Sequence, residues 1–588
     1  MPRQSDIKQI RTLRLAVPNR EWAETAAALC HEAKNLYNIT TFLIRQIFSA
    51  YEYQAESKSH VLRTELHQSQ IDALDLFNRI ITEVNEKRLA KAKDLAKFMP
   101  IYQLEQTLQH GPLSVVLHRT VIDNAVRSHI DENGHCVYRR LPAVAAQQVV
   151  LSVVDLWKAS LAAQKDYFKN PAKYTGRPQF PSYLAKNETF QIEFPMAVIK
   201  QSLPRPRDLF PLNDEVTVDA LERFHDWNIK QAVFTACQGR GWRDYHPKHI
   251  RIMAESRAKV RIEAVVHLQQ AFPEGSLLHR IYQHYPELAE IKKVAEKNAF
   301  LIDKAQSLGH SNLRVAAADL GENNVATVSF STGHKAHVHD GDRFAAMMDD
   351  YNRRIDKLLS SLVTPRIKEL QAKQAKENLS KAERIELRKE QKELFNDPVY
   401  KALTGRRMRR KADYEHKLTS DIVDQCLARG IDLIIIGRNK GWKNEANMGR
   451  KNNRSFHGIA YARLINLIRY KAEAYGMAVV TVEESYTSKT SFIDGDELRN
   501  YADKDQPDVA PAARMSGYRS TENRNWFVRR RDAVKPGEIT KVHADVNGAF
   551  NIIRKVFKDF CYHAGLSLKF TVRWISPRRG AVLPVACL

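Results

Sequence analysis

A carboxylate at the end of an uninterrupted apolar run constrains a chain strongly, and this one carries such a run in LRVAAADLGENNVATVSF, Leu313 to Phe330. Val315 to Ala318 are apolar, Asp319 follows, then Gly321, then a second apolar stretch from Val325 to Phe330. The pattern predicts a buried strand, a tight glycine turn and a returning strand. An acid in that place is costly unless something pairs with it, and a metal ion is a common partner. Taken alone, the segment also suits a turn-initiating Asp beside Gly. Two other stretches bear on the choice: VVTVEESYTSKTS, Val479 to Ser491, and HADVNGAFNIIRK, His543 to Lys555.

Charge narrows the partner. Over 588 residues, 92 Lys and Arg face 68 Asp and Glu, a formal charge of +24. A surplus of that size points to a polyanion, nucleic acid ahead of membrane. No apolar run approaches the roughly 20 residues that span a bilayer. The opening MPRQSDIKQIRTLRLAVP lacks the apolar core of a secretory signal, so a cytoplasmic protein is expected. The six cysteines are scattered singly, with no CxxC pair for a zinc finger or redox motif. His334, His337 and His339 alternate along what reads as a polar loop, where solvated imidazoles are expected. No GxxxxGK[ST] loop is present, which argues against an NTP-driven motor.

In chain order, Ile10 to Val17 reads as a strand. Trp22 to Tyr53 turns helical, with Ala26, Leu29, Cys30, Ala33, Leu36 and Tyr37 on one face. Helical periodicity continues to about Tyr167, interrupted at Pro100 and Pro112. Lys173 to about Leu268 reads as mainly β, completed by the first strand, although Ser202 to Lys248 shows no assignable pattern. Ile291 to Leu308 is a connecting helix. Arg343 to about Arg429 is a long charged helical stretch containing Arg406, Arg407, Arg409, Arg410 and Lys411. Its stripe of Tyr351, Ile355, Leu358 and Leu359 should pack, leaving the other side for a phosphate backbone. Ile431 to Ile436 is a strand ending at Gly437. The basic loop after it holds Lys440, Trp442 and Lys443, cations and an aromatic in a mixture that suits a nucleic-acid contact. An amphipathic helix from Tyr461 to Tyr475 precedes the strand Val479 to Val482, with Glu483 and Glu484 at its end.

The order is strand with Asp, long helix, strand, helix, strand with a Glu pair, insertion, and Asp at a helix start. A ribonuclease-H-like α/β core is built this way, with carboxylates from separate elements converging at one end of the sheet. Three acids at one point can hold two Mg2+ ions for phosphodiester hydrolysis. Asp545 stands before a helix whose apolar face is Val546, Ala549, Phe550, Ile553 and Phe557, so it could serve as an N-cap alone, or cap and bind metal together. Asn547 and Asn551 lie near it. Since a strand alternates faces, one of Glu483 and Glu484 should point at the metals; Glu484 is preferred and Glu483 is the alternative.

These blocks, in this order, resemble the transposon-encoded insertion-sequence OrfB/TnpB family. The resemblance runs from roughly Arg314 to Lys555 through ADLGENNVAT, LIIIGRNKGWK, YKAEAYG, EESYTSKTS and ADVNGAFNIIRK. More loosely, GRPQFPSY and HIRIMAESRAKVRIEAV look like the family's wedge domain. The resemblance implies a multidomain α/β protein, with residues 1–20 the first strand of the wedge domain and 21–172 a helical recognition lobe. The β-rich wedge domain would continue over 173–305. A ribonuclease-H-like (RuvC) nuclease core with its long basic helix would occupy 306–491, interrupted by a nucleic-acid-binding insertion over 492–542 and resumed over 543–565, before a C-terminal tail at 566–588. It further implies an RNA-guided DNA endonuclease related to type V CRISPR effectors, with a guide RNA, a double-stranded and single-stranded DNA target, and Mg2+-dependent cleavage beside a short flanking motif. In that mode base pairing supplies sequence specificity while the protein holds backbone and shape. Asp319, Glu484 and Asp545 would hold the ions.

Two departures from the family pattern stand out. In most members the middle glutamate ends the strand that here reads IIIGRN, where this chain has Gly437. Some members carry the acid on the next strand in an E-S-Y-T-S-K context, which Glu484 matches. Where many members begin a zinc ribbon, this chain has Thr490 and Ser491 and no CxxC pair before Asp545, so no zinc is expected. Arg529, Arg530 and Arg531 in that insertion are read as nucleic-acid contacts. A guided DNA binder that does not cut is one rival, although it would have no need of all three acids. A strand-joining transposase is another, but a helix-turn-helix is not evident in the N-terminal region.

Overall fold

The Leu313 segment forms the hairpin its pattern predicts, Val315–Asp319 paired antiparallel with Asn324–Phe330. The structure, a computed structural model, describes all residues except 1–5, 93–97, 110, 131–133, 172–173, 175, 187, 206–215, 240–244, 257, 322, 377–378, 439–459, 499–514, 576–582 and 585–588. It is a mixed α/β chain of two compact units, one of Lys8–Gln269 and the other of Met1–Ile7 with Gln270–Leu588.

The Lys8–Gln269 unit combines helices with two antiparallel sheets. Its strands are β1 (Asp6–Leu15), β2 (Tyr51–Gln54), β3 (Ser59–Leu62), β4 (Thr107–Leu108), β5 (Ile192–Pro195), β6 (Tyr245–Ser256) and β7 (Lys259–Ala271). Its helices are α1 (Arg20–Ala50), α2 (Gln68–Leu89), α3 (Leu113–Val116), α4 (Arg119–Ser128), α5 (Ala143–Lys169), α6 (Val218–Phe224) and α7 (Ile229–Gln238). Helix α1 begins where the Asn19 side chain accepts from the Trp22 N–H at 2.8 Å, a cap that satisfies one orphan donor. Its predicted face is buried, with Ala26, Leu29, Cys30, Ala33 and Leu36 all in the core. The larger sheet has the order β1-β7-β6-β5, so the first strand does complete the β region. The helical reading up to Tyr167 missed the small sheet β2-β3-β4, whose strands are too short to impose a visible period. The stretch without an assignable pattern contains α6 and α7, the first capped by Thr217 and the second by Asn228.

The second unit is built on a seven-stranded mixed sheet. Its strands are β8 (Val315–Asp319), β9 (Asn324–Phe330), β10 (Ala336–Asp340), β11 (Leu433–Gly437), β12 (Ala478–Val482), β13 (Gly517–Arg519), β14 (Trp526–Arg529), β15 (Lys541–His543), β16 (Phe570–Trp574) and β17 (Leu583–Pro584). The large sheet runs β12-β11-β8-β9-β10-β16-β17, with β12, β11 and β8 mutually parallel. The helices are α8 (Leu277–His284), α9 (Val294–Leu308), α10 (Asp342–Leu362), α11 (Pro365–Lys376), α12 (Lys381–Asn396), α13 (Pro398–Ala428), α14 (Tyr461–Glu473) and α15 (Ala544–Val556). Both sheet faces are covered, which is why these strands read as continuous apolar runs rather than alternating ones. Val315, Ala317, Leu433, Ile435 and Val480 pack with α15 through Val546, Ala549 and Phe550. Ala316, Ala318, Ile434, Ile436 and Val479 pack on the other face with α13 and α14 through Leu418, Ile422, Leu464 and Ile468.

Two expectations are corrected here. The long charged stretch is four helices, α10 to α13, because Ser380 and Glu383 form a capping box and Asp397 caps a helix that starts at Pro398. The histidines divide: His334 is exposed in a loop, as expected, but Ala336–Asp340 is strand β10, with His337 and His339 buried. His339 bonds the Ala326 carbonyl at 3.2 Å through Nδ1 and Asp421 at 2.9 Å through Nε2. The same Asp421 carboxylate accepts from Arg573 on β16, which lies parallel to β10 and brings the C-terminal tail into the sheet. Among the described residues no helix is long and apolar enough to cross a membrane.

Burial would raise the Asp421 pKa, but the bonds from His339 and Arg573 outweigh it and hold the carboxyl down at about 2. A group depressed below its unfolded value of about 3.9 stabilises the fold above that value, by about 2 kcal/mol here. The contribution is lost as pH falls from about 4 toward 2. Asp421→Asn is expected to lower stability at pH 7 and to flatten that acid limb. Chemical unfolding at a series of pH values checks this, and a variant profile parallel to the unmodified protein's would refute it.

Candidate active site

Strand β8 delivers Asp319 to the end of the sheet. Val315 to Ala318 are completely buried, so a one-residue register shift would exchange the side chains of two packed faces. Burial pushes the Asp319 carboxyl well above the usual range; Asp545 and then Glu484 push it further, and Arg519 opposes them. A carboxylate raised by two others shares one electrostatic neighbourhood with them.

Glu484 reaches this neighbourhood through a vacancy at Gly437. Gly437 ends β11 opposite Val482 of β12, two residues before Glu484. A Cβ placed at 437 would collide with the Glu484 carboxylate and lie 2.7 Å from the Ile552 Cδ1. The Glu484 side chain therefore fills the space that a side chain at 437 would need. Burial, then Glu483, lifts the Glu484 pKa to about 7. Glu483 turns elsewhere: its carboxylate bonds the Ser485 hydroxyl and lies 3.6 Å from Lys555 Nζ.

The chain around Glu484 is held from both sides. Asn298 of α9 donates to the Thr481 carbonyl at 2.9 Å and accepts its N–H at 2.7 Å, closing the free edge of β12. After Glu484 the backbone turns through Tyr486 at φ 63°, a conformation rarely adopted by a bulky residue. Asn551 donates to the carbonyls of Thr487 at 2.9 Å and Thr490 at 2.7 Å. Asn547 donates to Thr490 at 2.8 Å and accepts from the Phe492 N–H at 2.9 Å. These two buried amides on α15 therefore tie the helix that carries Asp545 to the loop that carries Glu484.

Asp545 lies in the first turn of α15, and the N-cap position belongs to His543. A carboxylate there is favoured by the helix dipole without capping. Its two oxygens accept from Asn324 Nδ2 at 2.7 Å and Arg519 Nη2 at 2.9 Å. One turn on, a Cβ at Gly548 would lie 2.6 Å from Asp319 Oδ2, so glycine is what lets α15 come this close to β8. Asn324 and Arg519 did not emerge from the sequence. Asn324 opens β9 directly after a turn rich in polar residues, and Arg519 belongs to a strand of three residues, too short to show a period.

Among the described residues, no three His, Cys, Asp or Glu side chains stand in ligating geometry about one point. The donor set nevertheless suits a hard cation: Asp319, whose ionisation Asp545 and Glu484 oppose, together with those two carboxylates, and a guanidinium on Asp545. Asp319, Glu484 and Asp545 are the residues that could hold Mg2+.

The basic candidates divide. Arg406, Arg409 and Arg410 are exposed on α13, and Arg407 is half-buried, donating to Asn352 at 3.0 Å. Lys440, Trp442 and Lys443 lie outside the described residues. Arg529 is corrected: its side chain is 4% exposed, ion-paired with Asp494 and Glu538 and bonded to the carbonyls of Ile539 and Ala533. It ties the segment that carries Asp494 to the connection between β14 and β15. Arg530 is half-buried, donating to the Met515 carbonyl at 2.9 Å, and Arg531 is exposed.

Residues 461–552 match the family model described as Cas12f1-like, TNB domain. That stretch carries Glu484 and Asp545 and stops short of Asp319. No curated protein matches the chain. Among solved structures, the chain is similar to one described as a Cas12f1-sgRNA-target DNA complex, at 11% identity over 92% of this chain and 98% of that one, TM-score 0.24. It is similar to Alicyclobacillus acidoterrestris C2c1 in complex with single-guide RNA, at 11% identity over 94% and 89%, TM-score 0.37. It is also similar to CasPhi-2 (Cas12j) bound to crRNA, at 10% identity over 96% and 99%, TM-score 0.39.

Two substitutions test this geometry. Gly437→Ala should cost about 1–3 kcal/mol by overpacking and displace the Glu484 carboxylate. A melting curve unchanged from the unmodified protein would refute the close contact. Asp494→Ala should cost about 3–5 kcal/mol by leaving the Arg529 guanidinium buried without its main partner. Limited proteolysis should then cut within 492–542, whereas a strong zinc chelator should leave the unmodified protein resistant. Chelator-induced cleavage would show that a metal holds the insertion instead.

Proposed function

We propose that this protein is an RNA-guided DNA endonuclease that hydrolyses a target phosphodiester beside a short flanking motif. The observation that carries the reading is the placement of three carboxylates from separate segments in one neighbourhood: Asp545 and Glu484 both raise the buried Asp319 carboxyl, which lies against Gly548, and Glu484 lies against Gly437. Asp319, Glu484 and Asp545 would hold two Mg2+ ions. When bound, the ions would supply an activated water and charge neutralisation at the leaving oxygen. The residues of this chain do the positioning. Asn324 and Arg519 orient Asp545, the Asn547 and Asn551 amides fix the Glu484 loop, and the Gly437 vacancy gives that side chain its place. No protein nucleophile is required.

Guide RNA and a double-stranded and single-stranded DNA target are the proposed partners. The +24 charge suits a chain that grips nucleic-acid backbones. A TnpB-type nuclease is the first reading. The match of residues 461–552 to the Cas12f1-like TNB family favours a compact type V CRISPR effector as the second. A repeat array beside the gene would separate them.

The test begins with protein co-expressed with its native locus. The co-purifying RNA is sequenced, and the complex is assayed with Mg2+ on a matching duplex carrying a randomised flank. A discrete RNA and discrete cuts are expected. Asp319→Ala and Glu484→Ala should each abolish cleavage while guide-dependent target binding persists. Cleavage by Asp319→Ala would overturn the site, and tight target binding without cuts by the unmodified complex would make the protein a silencing module.

A further inference from the structure

The Lys8–Gln269 unit contains a cleft of about 1130 Å3 that plays no part in the chemistry above. It lies among the end of α1, the β2–β3 hairpin, the Gly111–His118 segment and α5. We propose that it seats an unpaired base of a single-stranded nucleic acid, an inference that rests on the chain binding nucleic acid at all. Small-molecule sites occupy roughly 300–1000 Å3, so the cleft has room for one or two bases and not for a duplex.

Its walls have the required chemistry. Pro112, Leu113 and Leu117 supply buried apolar surface. Phe48 and Tyr53 line the cleft with rings that are 38% and 57% exposed, and Tyr53 packs against His60 at 5.1 Å between ring centres. Exposed aromatic rings in a strongly cationic chain are platforms on which bases stack. His60 and His118 supply the polar edge. Burial lowers the pKa of both rings, with Arg88 and Lys158 adding to it at His118, so both are neutral at pH 7. The Nδ1 of each is buried and has no hydrogen-bond partner within the protein, so a base would meet these rings elsewhere on their edge. A neutral imidazole offers one donor and one acceptor, the combination a base edge also presents.

Charge at the rim argues for the base and against the phosphate. Arg63 and Lys158 line the cleft, but so do Glu52 and Glu65, and Arg63 lies 4.0 Å from Glu52. Cations and acids balance, so stacking and edge contacts would dominate here while the basic surface elsewhere holds the backbone.

The experiment is photocross-linking of the full chain to single-stranded RNA containing 4-thiouridine and, separately, single-stranded DNA containing 4-thiothymidine. Cross-linked peptides are mapped by mass spectrometry, and total binding is measured in parallel by filter retention. Cross-links are expected in peptides covering Phe48–His60 or Gly111–His118, and whichever strand gives them identifies the source of the base. Tyr53→Ala should reduce them about 5-fold or more, since base–aromatic stacking is worth about 1–3 kcal/mol. Phe48→Ala should do the same, Tyr53→Phe should retain them, and total retention should change less than about 2-fold, because the backbone contacts are untouched. Retained oligonucleotide with cross-links only elsewhere, or cleft cross-links indifferent to both alanine variants, would overturn the proposal and leave the nuclease reading standing. No retention of either strand would sink both.

Discussion

The repulsion that Asp545 and Glu484 exert on the buried Asp319 carboxylate is the constraint on which the second unit is arranged. Each is brought by a different element, and the order of those elements in the sheet is what allows them to meet. Like charges held together in a buried place cost free energy, so the supporting structure must be rigid enough to impose the arrangement. The parallel trio β12, β11 and β8 meets that need, because helices cover both its faces and a one-residue slip would exchange the side chains fitted to α15 for those fitted to α13 and α14. The charge balance is then adjusted locally by Arg519 and Asn324 on Asp545 and by Lys555 beside Glu483.

Two glycines set how closely the elements approach. Gly548 permits α15 to lie against the Asp319 carboxylate, and Gly437 leaves a space that Glu484 fills from the neighbouring strand. The second case gives a physical account of an acid placed just past the end of β12 and none at the end of β11. Adjacent parallel strands in register, with Gly437 opposite Val482, put the two positions within reach of one another across the sheet. An acid can change strands only if the position it leaves becomes small. Gly437 and Glu484 are in that sense one feature written at two places in the chain.

What could be read from the sequence depended on whether the signal was local. The β8–β9 hairpin was legible because an apolar run, a polar turn and a second apolar run lie within 18 residues, Leu313 to Phe330. Strand alternation implied only that Glu483 and Glu484 should point different ways, without choosing between them. Strand β10 was not legible, because its histidines are made compatible with burial by Asp421, 82 residues from His339. No window of sequence contains that pairing. Arg519 was hidden for the same reason: its partner stands 26 residues away, and only the folding of β13 against β14 brings them together. The four-helix division of 342–428 was available locally, in Ser380 with Glu383 and in Asp397 with Pro398, but the charge pattern over the whole stretch obscured the caps.

The arginine triplet shows most clearly how strand geometry revises a charge argument. Arg529, Arg530 and Arg531 look like one basic patch when read as composition. On β14 burial alternates, with Phe527 and Arg529 inside and Trp526 and Val528 partly out. The period of two that puts Phe527 in the core puts Arg529 there as well. A guanidinium in that place must find several acceptors, and Asp494, Glu538 and two carbonyls provide them. Asp496, bonded to the Ser491 and Ser516 backbone N–H groups at 3.0 Å each, ties the start of the insertion to its strands. An ionic centre of this kind can do what a bound metal does in a small β domain, joining distant segments through one multivalent point. It differs in requiring burial, since the same ion pair in water would contribute little. The stability of the insertion therefore depends on the burial of the centre as much as on the charges themselves, and Phe527 is buried on the same face of β14 as Arg529.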